Sequence, residues 1–288
     1  MRISVLTATV FALFANVCPA IEVSTGFLIG PRHDPRAFYF RDQPGGVWRK
    51  SYSDQGFRKQ AQGRLVGAEV VRGFAAVGEL AREGLMYARL ALQSAEVNLF
   101  EADGSLRKAE TALLLKALHE ANDRGMAVEL VLFHPDQDQH FEAPEAFDNA
   151  VAQLTDWLID TNQRHVMLNP GGDWSAAGWD FENYVPQHLA RFAQIIRDRF
   201  QERHTDYALP VAISAEMRLT AASPVVQEAD VLVLRGEALA TDPRSIERPL
   251  LVVAPTASAC AAALQRFSGC LLESGIGGEG LSAVLRTR

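Results

Sequence analysis

Eight short apolar runs of β-type composition, separated by longer stretches with helical periodicity, constrain this chain more than any other feature. The runs are residues 23–30, 85–92, 126–133, 165–169, 209–215, 230–235, 249–254 and 269–273. Run 126–133, MAVELVLF, is nearly all apolar, as a strand covered on both faces must be. Between the runs, residues 106–124, 144–160 and 185–200 carry apolar side chains at helical spacing. Phe147, Val151, Leu154 and Leu158 form one stripe, and Leu189, Phe192, Ile196 and Phe200 another. Shorter helices are expected near 222–228, 243–247 and 257–267, and residues 57–83 read as mostly helix, weakened by Gly63, Gly67 and Gly73. Residues 37–41 and 47–52 read as a hairpin across Gln43-Pro44-Gly45-Gly46. Strands that alternate with helices build a parallel sheet, because a parallel return needs a long crossover. Eight such units point to an α/β fold, a (β/α)8 TIM barrel in a single domain. A doubly wound open sheet is the alternative, weakened because no Gly-rich phosphate loop follows any strand.

The N-terminal 20 residues read as a signal peptide: Arg2, an apolar core over 3–17, and Cys18-Pro19-Ala20 at the end. Residues 21–288 then form the barrel, close to the ~250 residues typical of one. The apolar core is shorter than the ~20 residues that span a bilayer, and no later segment is long enough. The expectation is a secreted or periplasmic protein with no membrane span after cleavage. Net charge is −7, with 28 Lys and Arg against 35 Asp and Glu and no basic stripe, which argues against nucleic acid as a partner. Export permits a disulfide between Cys260 and Cys270, although their small, apolar surroundings suit two buried thiols somewhat better. Oligomeric state is left open.

Chemistry concentrates in residues 164–179, RHVMLNPGGDWSAAGW. An apolar run breaks at Asn169-Pro170-Gly171-Gly172, through which no regular element is expected to continue. The break delivers Asp173, with Trp174 and Trp179 on either side of Gly178. A carboxylate among indoles suits a sugar, since aromatic faces stack on pyranose rings and the acid serves hydroxyls or protons. The plain alternative is a surface loop with part-buried tryptophans and a solvated Asp. In a barrel, function sits at the C-terminal ends of the strands. Reading off those ends places Arg32, His33, Arg89, His134, Asp136, Asp138, Asp173, Glu216, Arg235, Glu237, Ala254 and Glu273 around one rim.

Over residues 85–200 the chain resembles secreted cellulase-like (β/α)8 glycoside hydrolases of the retaining kind. Tyr-Ala-Arg-Leu puts Arg89 on strand two, and Glu-Leu-Val-Leu-Phe-His puts His134 at the end of strand three, as in that family. The segments Ala-Asn-Asp-Arg-Gly-Met and Trp-Leu-Ile-Asp are also similar. Two departures stand out. The acid/base place, a Glu after Asn in the family, falls on Gly172-Asp173, and the strand-seven nucleophile place falls on Ala254. The resemblance therefore implies a carbohydrate-binding barrel, degenerate at the catalytic glutamates, with lost or strongly altered hydrolysis. Arg89, His134, Asp136, Trp174 and Trp179 would hold the sugar. The alternative is an active glycosidase with Asp173 as general acid and Glu216, Glu237 or Glu273 as relocated base or nucleophile. No cofactor is implied. His134, Asp136, Asp138 and His140 contain metal-type ligands but not a recognised ligand spacing, so no metal site is expected.

Overall fold

A computed structural model describes residues 28–29, 38–39, 65–70, 73–82, 85, 87–94, 97–124, 126–135, 140–172, 179, 184–205, 207–215, 224–235, 246, 248–267 and 269–273. The N-terminal segment read as a signal peptide lies outside them. Two short strands come first, β1 (Leu28–Ile29) and β2 (Phe38–Tyr39), paired antiparallel with Leu28 opposite Tyr39. They form a sheet of their own, so the first expected barrel strand, 23–30, is not part of the barrel. Phe38-Tyr39 pairs upstream with β1, while the 47–52 half of the expected hairpin lies outside the described residues.

The barrel begins instead at β3 (Leu65–Val70), inside the stretch read as helix, and among the described residues of that stretch only α1 (Ala76–Arg82) is helical. The glycines explain the error. A Cβ at Gly67 would stand 2.3 Å from the Tyr87 carbonyl oxygen, so glycine alone lets β3 lie this close to its neighbour. Gly73, at φ +79°, makes the turn that follows. Residues that weaken a helix are here required by a strand and its exit.

The remaining elements are β4 (Tyr87–Ala91), α2 (Lys108–Asp123), β5 (Ala127–Phe133), α3 (Glu145–Asp160), β6 (Val166–Gly171), α4 (Tyr184–Glu202), β7 (Ala212–Ala215), α5 (Pro224–Glu228), β8 (Val231–Leu234), β9 (Leu250–Ala254), α6 (Ala257–Ala263) and β10 (Gly269–Leu272). Residues 243–247, expected as a short helix, fall almost wholly outside the described residues. β3 to β10 form one parallel eight-stranded sheet in the order β6-β5-β4-β3-β10-β9-β8-β7. β10 lies beside β3 with Gly269 opposite Leu65, which bends the sheet into a nearly closed barrel.

The one seam is between β6 and β7. There the contact is a single bridge, Leu168 to Val211, with the Leu168 N–H donating to the Pro210 carbonyl at 3.0 Å. Two residues further along the same edge, Pro170 has no N–H to donate, so the ladder stops. The opposite edge of β6 is unaffected. Asn169 pairs with Val131 and Gly171 with Phe133, so the strand runs through the Pro-Gly sequence expected to end it.

Side chains alternate between two cores. Leu251 and Val253 of β9 face into the barrel with Tyr87, Ala127 and Met167, whereas Leu250, Val252 and Ala254 pack toward the helices. The helical stripes fall as read: Phe147, Val151, Leu154 and Leu158 of α3, and Leu189, Phe192, Ile196 and Phe200 of α4, are buried. On their outer sides α3 and α4 are linked by Arg191–Asp148, Arg199–Asp156 and Arg203–Asp160 ion pairs. No described helix is long and apolar enough to cross a membrane.

Cys260 and Cys270, read from sequence as more readily two thiols, are disulfide-bonded with their Cα atoms 5.5 Å apart, tying α6 to β10. Closing a loop of this length restricts the unfolded chain by about 2–3 kcal/mol. Cys260→Ala with Cys270→Ala should lower unfolding stability by that amount in urea titrations, and reduction of the wild type should do the same. Equal midpoints with and without reductant would contradict this.

Candidate functional site

The inward-facing residues near the C-terminal ends of the strands form a polar layer above an apolar one. β3 contributes Glu69, β4 Arg89, β5 Glu129, β6 Asn169 and β7 Ser214. Arg235 follows β8 and Glu273 follows β10. β9 presents the apolar Val253 on this side.

Arg89 is the hub. Its Nη1 lies 3.1 Å from Glu69 Oε1 and its Nε 3.5 Å from Glu129 Oε1. Its Nη2 donates to the Gly172 carbonyl at 2.9 Å and to Ser214 Oγ at 2.6 Å. Glu129 is fully buried, and a buried charge is tolerated only when paired and hydrogen-bonded. It accepts from Tyr87 Oη at 2.6 Å and from Asn169 Nδ2, whose amide also donates to Ser214 Oγ at 2.8 Å. Burial, and then the adjacent Glu129 carboxylate, hold the Tyr87 phenol well above its ordinary pKa. Tyr87 therefore stays a donor.

The network opens outward. Arg235 Nη2 binds Glu69, and its Nη1 lies 3.5 Å from Glu273 Oε1. Side-chain exposure rises from 0% at Glu129 and 5% at Arg89 to 15% at Glu69, 22% at Arg235 and 44% at Glu273. Anions and cations thus alternate from the barrel interior to solvent. The inner members are saturated and structural. The outer two retain surface for a ligand, one offering donors and the other acceptors.

Four sequence candidates fall in or beside this array: Arg89, His134, Arg235 and Glu273. Arg89 and His134 meet around Gly172: Arg89 bonds its carbonyl, and a Cβ on Gly172 would stand 3.7 Å from His134 Cδ2. The Gly172 N–H donates to the Phe133 carbonyl, so β4, β5 and β6 converge on the residue before Asp173. Glu273 joins through Arg235. Trp179 is buried in the helix-facing core. Asp173, Trp174, Asp136, Asp138, Glu216, Glu237, Arg32 and His33 lie outside the described residues. His140 Nε2 sits 3.2 Å from the Phe100 carbonyl and 3.3 Å from Arg107, a local structural role. Among the described residues no group of three His, Cys, Asp or Glu side chains is arranged to hold a metal ion.

Ala254 reaches the end of β9 as expected, but its methyl faces the helices, and the inward neighbour is Val253. Neither residue is an acid. Sequence reading missed Glu69 because its strand was taken for helix. It also missed Glu129, although a lone carboxylate inside MAVELVLF is a signal that the strand meets a buried partner.

No protein-family model matches the sequence, and no curated protein matches it. Solved structures do resemble the fold. A glycoside hydrolase family 5 enzyme from Prevotella bryantii B14 superposes with a TM-score of 0.53 at 9% identity, over 80% of this chain and 96% of that one. A putative glycoside hydrolase from Bacteroides vulgatus gives 0.54 at 13% identity, over 86% of this chain and 55% of that one. The β-mannanase of the blue mussel Mytilus edulis gives 0.51 at 10% identity, over 78% and 91%. At such identities the likeness concerns the backbone. This chain has the (β/α)8 barrel fold that glycoside hydrolase family 5 structures share.

Proposed function

We propose that this protein binds carbohydrate in a cleft at the C-terminal ends of its barrel strands, with two-carboxylate hydrolysis lost or strongly altered. The observation that carries the reading is the chemistry of one strand end. β9 turns Val253 inward and ends at Ala254, so it offers no carboxyl group. Retaining hydrolysis needs two carboxyls about 5–5.5 Å apart across one bond, and removing either costs orders of magnitude in rate. A binding cleft survives that loss. Arg235 and Glu273 supply exposed donors and acceptors, Trp174 a stacking face, and Asp173, Asp136 and His134 further polar contacts, with Arg89 holding the layer beneath them. The names of similar barrels, an endoglucanase among them, make β-linked polysaccharides the first ligands to try. The N-terminal signal segment and the Cys260–Cys270 disulfide support export to an oxidising compartment.

One observation favours an active glycosidase as second reading: Arg235 holds two carboxylates, Glu69 and half-exposed Glu273, at the ends of adjacent strands. Asp173 would then be the general acid, with Glu273, Glu237 or Glu216 as partner. Calorimetry and reducing-end assays on gluco-, manno- and xyloglucan oligosaccharides separate the two. The first reading expects saturable binding without sugar release, about tenfold weaker in Trp174→Ala. The second expects release that Asp173→Asn abolishes. Neither binding nor release would overturn both.

A further inference from the structure

We propose that the cleft prefers an oligosaccharide carrying free amino groups, with the Glu273 carboxylate receiving an ammonium of the sugar. The proposal rests on the carbohydrate reading above and names the ligand class within it.

Five charged side chains form one continuous series from the barrel interior to solvent: Glu129, Arg89, Glu69, Arg235 and Glu273. The signs alternate and both ends are acids, so three carboxylates meet two guanidiniums. The series therefore carries one negative charge in excess. The neutral donors at its two ends decide where that charge is felt. Glu129, at the inner end, also accepts from Tyr87 Oη and Asn169 Nδ2. Glu69, in the middle, is shared by both arginines. Among the described residues the Glu273 carboxylate meets only Arg235 Nη1, at 3.5 Å. A charge-assisted hydrogen bond is usually about 2.7–2.9 Å long, and the other Nη of Arg235 is already bound to Glu69. The least compensated acid is thus the outermost.

Glu273 is also accessible. Its N–H donates to the Ala254 carbonyl at 3.1 Å, so the β10 ladder holds its backbone. Contact with Arg235, which binds Glu69, fixes its side chain on the side of the polar layer. The strand between those that lead to Arg235 and Glu273 is β9, whose inward Val253 offers no polar group. The Glu273 side chain is 44% exposed, so a ligand reaches it from solvent.

An ammonium at this carboxylate extends the alternation by one step. A hydroxyl would donate a hydrogen bond but leave the excess charge, and an anionic sugar would meet a like charge. Because the acid is half exposed, the gain is modest and is screened by salt. It selects among sugars that the cleft already holds.

Calorimetry on the full chain tests this at about pH 6, where alkyl amines are protonated. The probes are β-1,4-linked hexamers of glucosamine, N-acetylglucosamine and glucose, which differ only in the group at the second carbon. Wild type should bind the glucosamine hexamer about fivefold more tightly than the other two. Salt at about 0.5 M should remove that preference. Glu273→Gln should bring the ratio to about one, and Glu273→Asp, which keeps the charge, should retain most of it. The salt and acetyl comparisons use wild type alone, so they decide even if a variant fails to fold. Equal or weaker binding of the amino sugar overturns the proposal, as does a preference that survives salt or Glu273→Gln. An equal loss in Glu273→Asp and Glu273→Gln overturns it too, since charge would not be what the sugar meets. In those cases sugar binding itself stands. If wild type binds none of the three hexamers, the carbohydrate reading falls together with Glu273.

Discussion

Arg89→Met should lower the stability of the barrel by about 3–5 kcal/mol, the largest loss expected from any single substitution here. Methionine fills much of the volume of the arginine stem but removes the charge. Glu129 is fully buried and would keep only Tyr87 and Asn169 as donors, while Glu69 would keep Arg235 alone. Ser214 Oγ and the Gly172 carbonyl would each lose a donor as well. The effect is therefore a stranded anion rather than a lost surface ion pair, which is typically worth under about 1 kcal/mol. Urea denaturation measures it. Adding Glu129→Gln to Arg89→Met should restore at least half of the loss, because the uncompensated charge goes with it. A loss under about 1 kcal/mol in the single variant, or no recovery in the double, would show that the pair contributes nothing net.

Acidification should destabilise the protein through His165, which enters β6 and is buried. Burial lowers its pKa from 6.5 to about 4; the nearby His119 adds to this and a backbone hydrogen bond at Leu118 opposes it. Between those two values the unfolded chain binds a proton that the native barrel does not, so stability falls as pH drops. The contribution is fully present above pH 6.5 and lost as pH approaches about 4, a range worth roughly 3 kcal/mol. His165→Leu should flatten the slope of stability against pH in this window, whatever it does to stability at pH 7. Parallel slopes for wild type and variant would exclude His165 as the source.

Most of the barrel could be read from the chain because its signals are local. A strand buried on both faces must be apolar, and a helix lying on a sheet must carry an apolar stripe. Seven of the eight barrel strands and the α3 and α4 stripes followed from those two requirements. β3 escaped because Gly67, which breaks a helix, looks like a flaw until Tyr87 is seen against it. With β3 went Glu69, which is why the bridge between Arg89 and Arg235 was invisible. Pro170 misled in the opposite direction. It stops hydrogen bonding on one edge only, and the other edge carries β6 to Gly171. Ala254 was placed at the right strand end, but one step of alternation decides whether a side chain meets the mouth or the helices.

What the amino-acid order determined by itself was the alternation of strand and helix, seven of the eight barrel strands, and the positions of Arg89, His134, Arg235 and Glu273 near the ends of strands. Periodicity and burial act within one element, so they survive in a linear text. The tertiary structure alone decided which charges neutralise one another, where the seam falls, and that the series of charges ends on Glu273. Those depend on residues such as Glu69 and Arg235, 166 positions apart, that only closure of the sheet brings into contact.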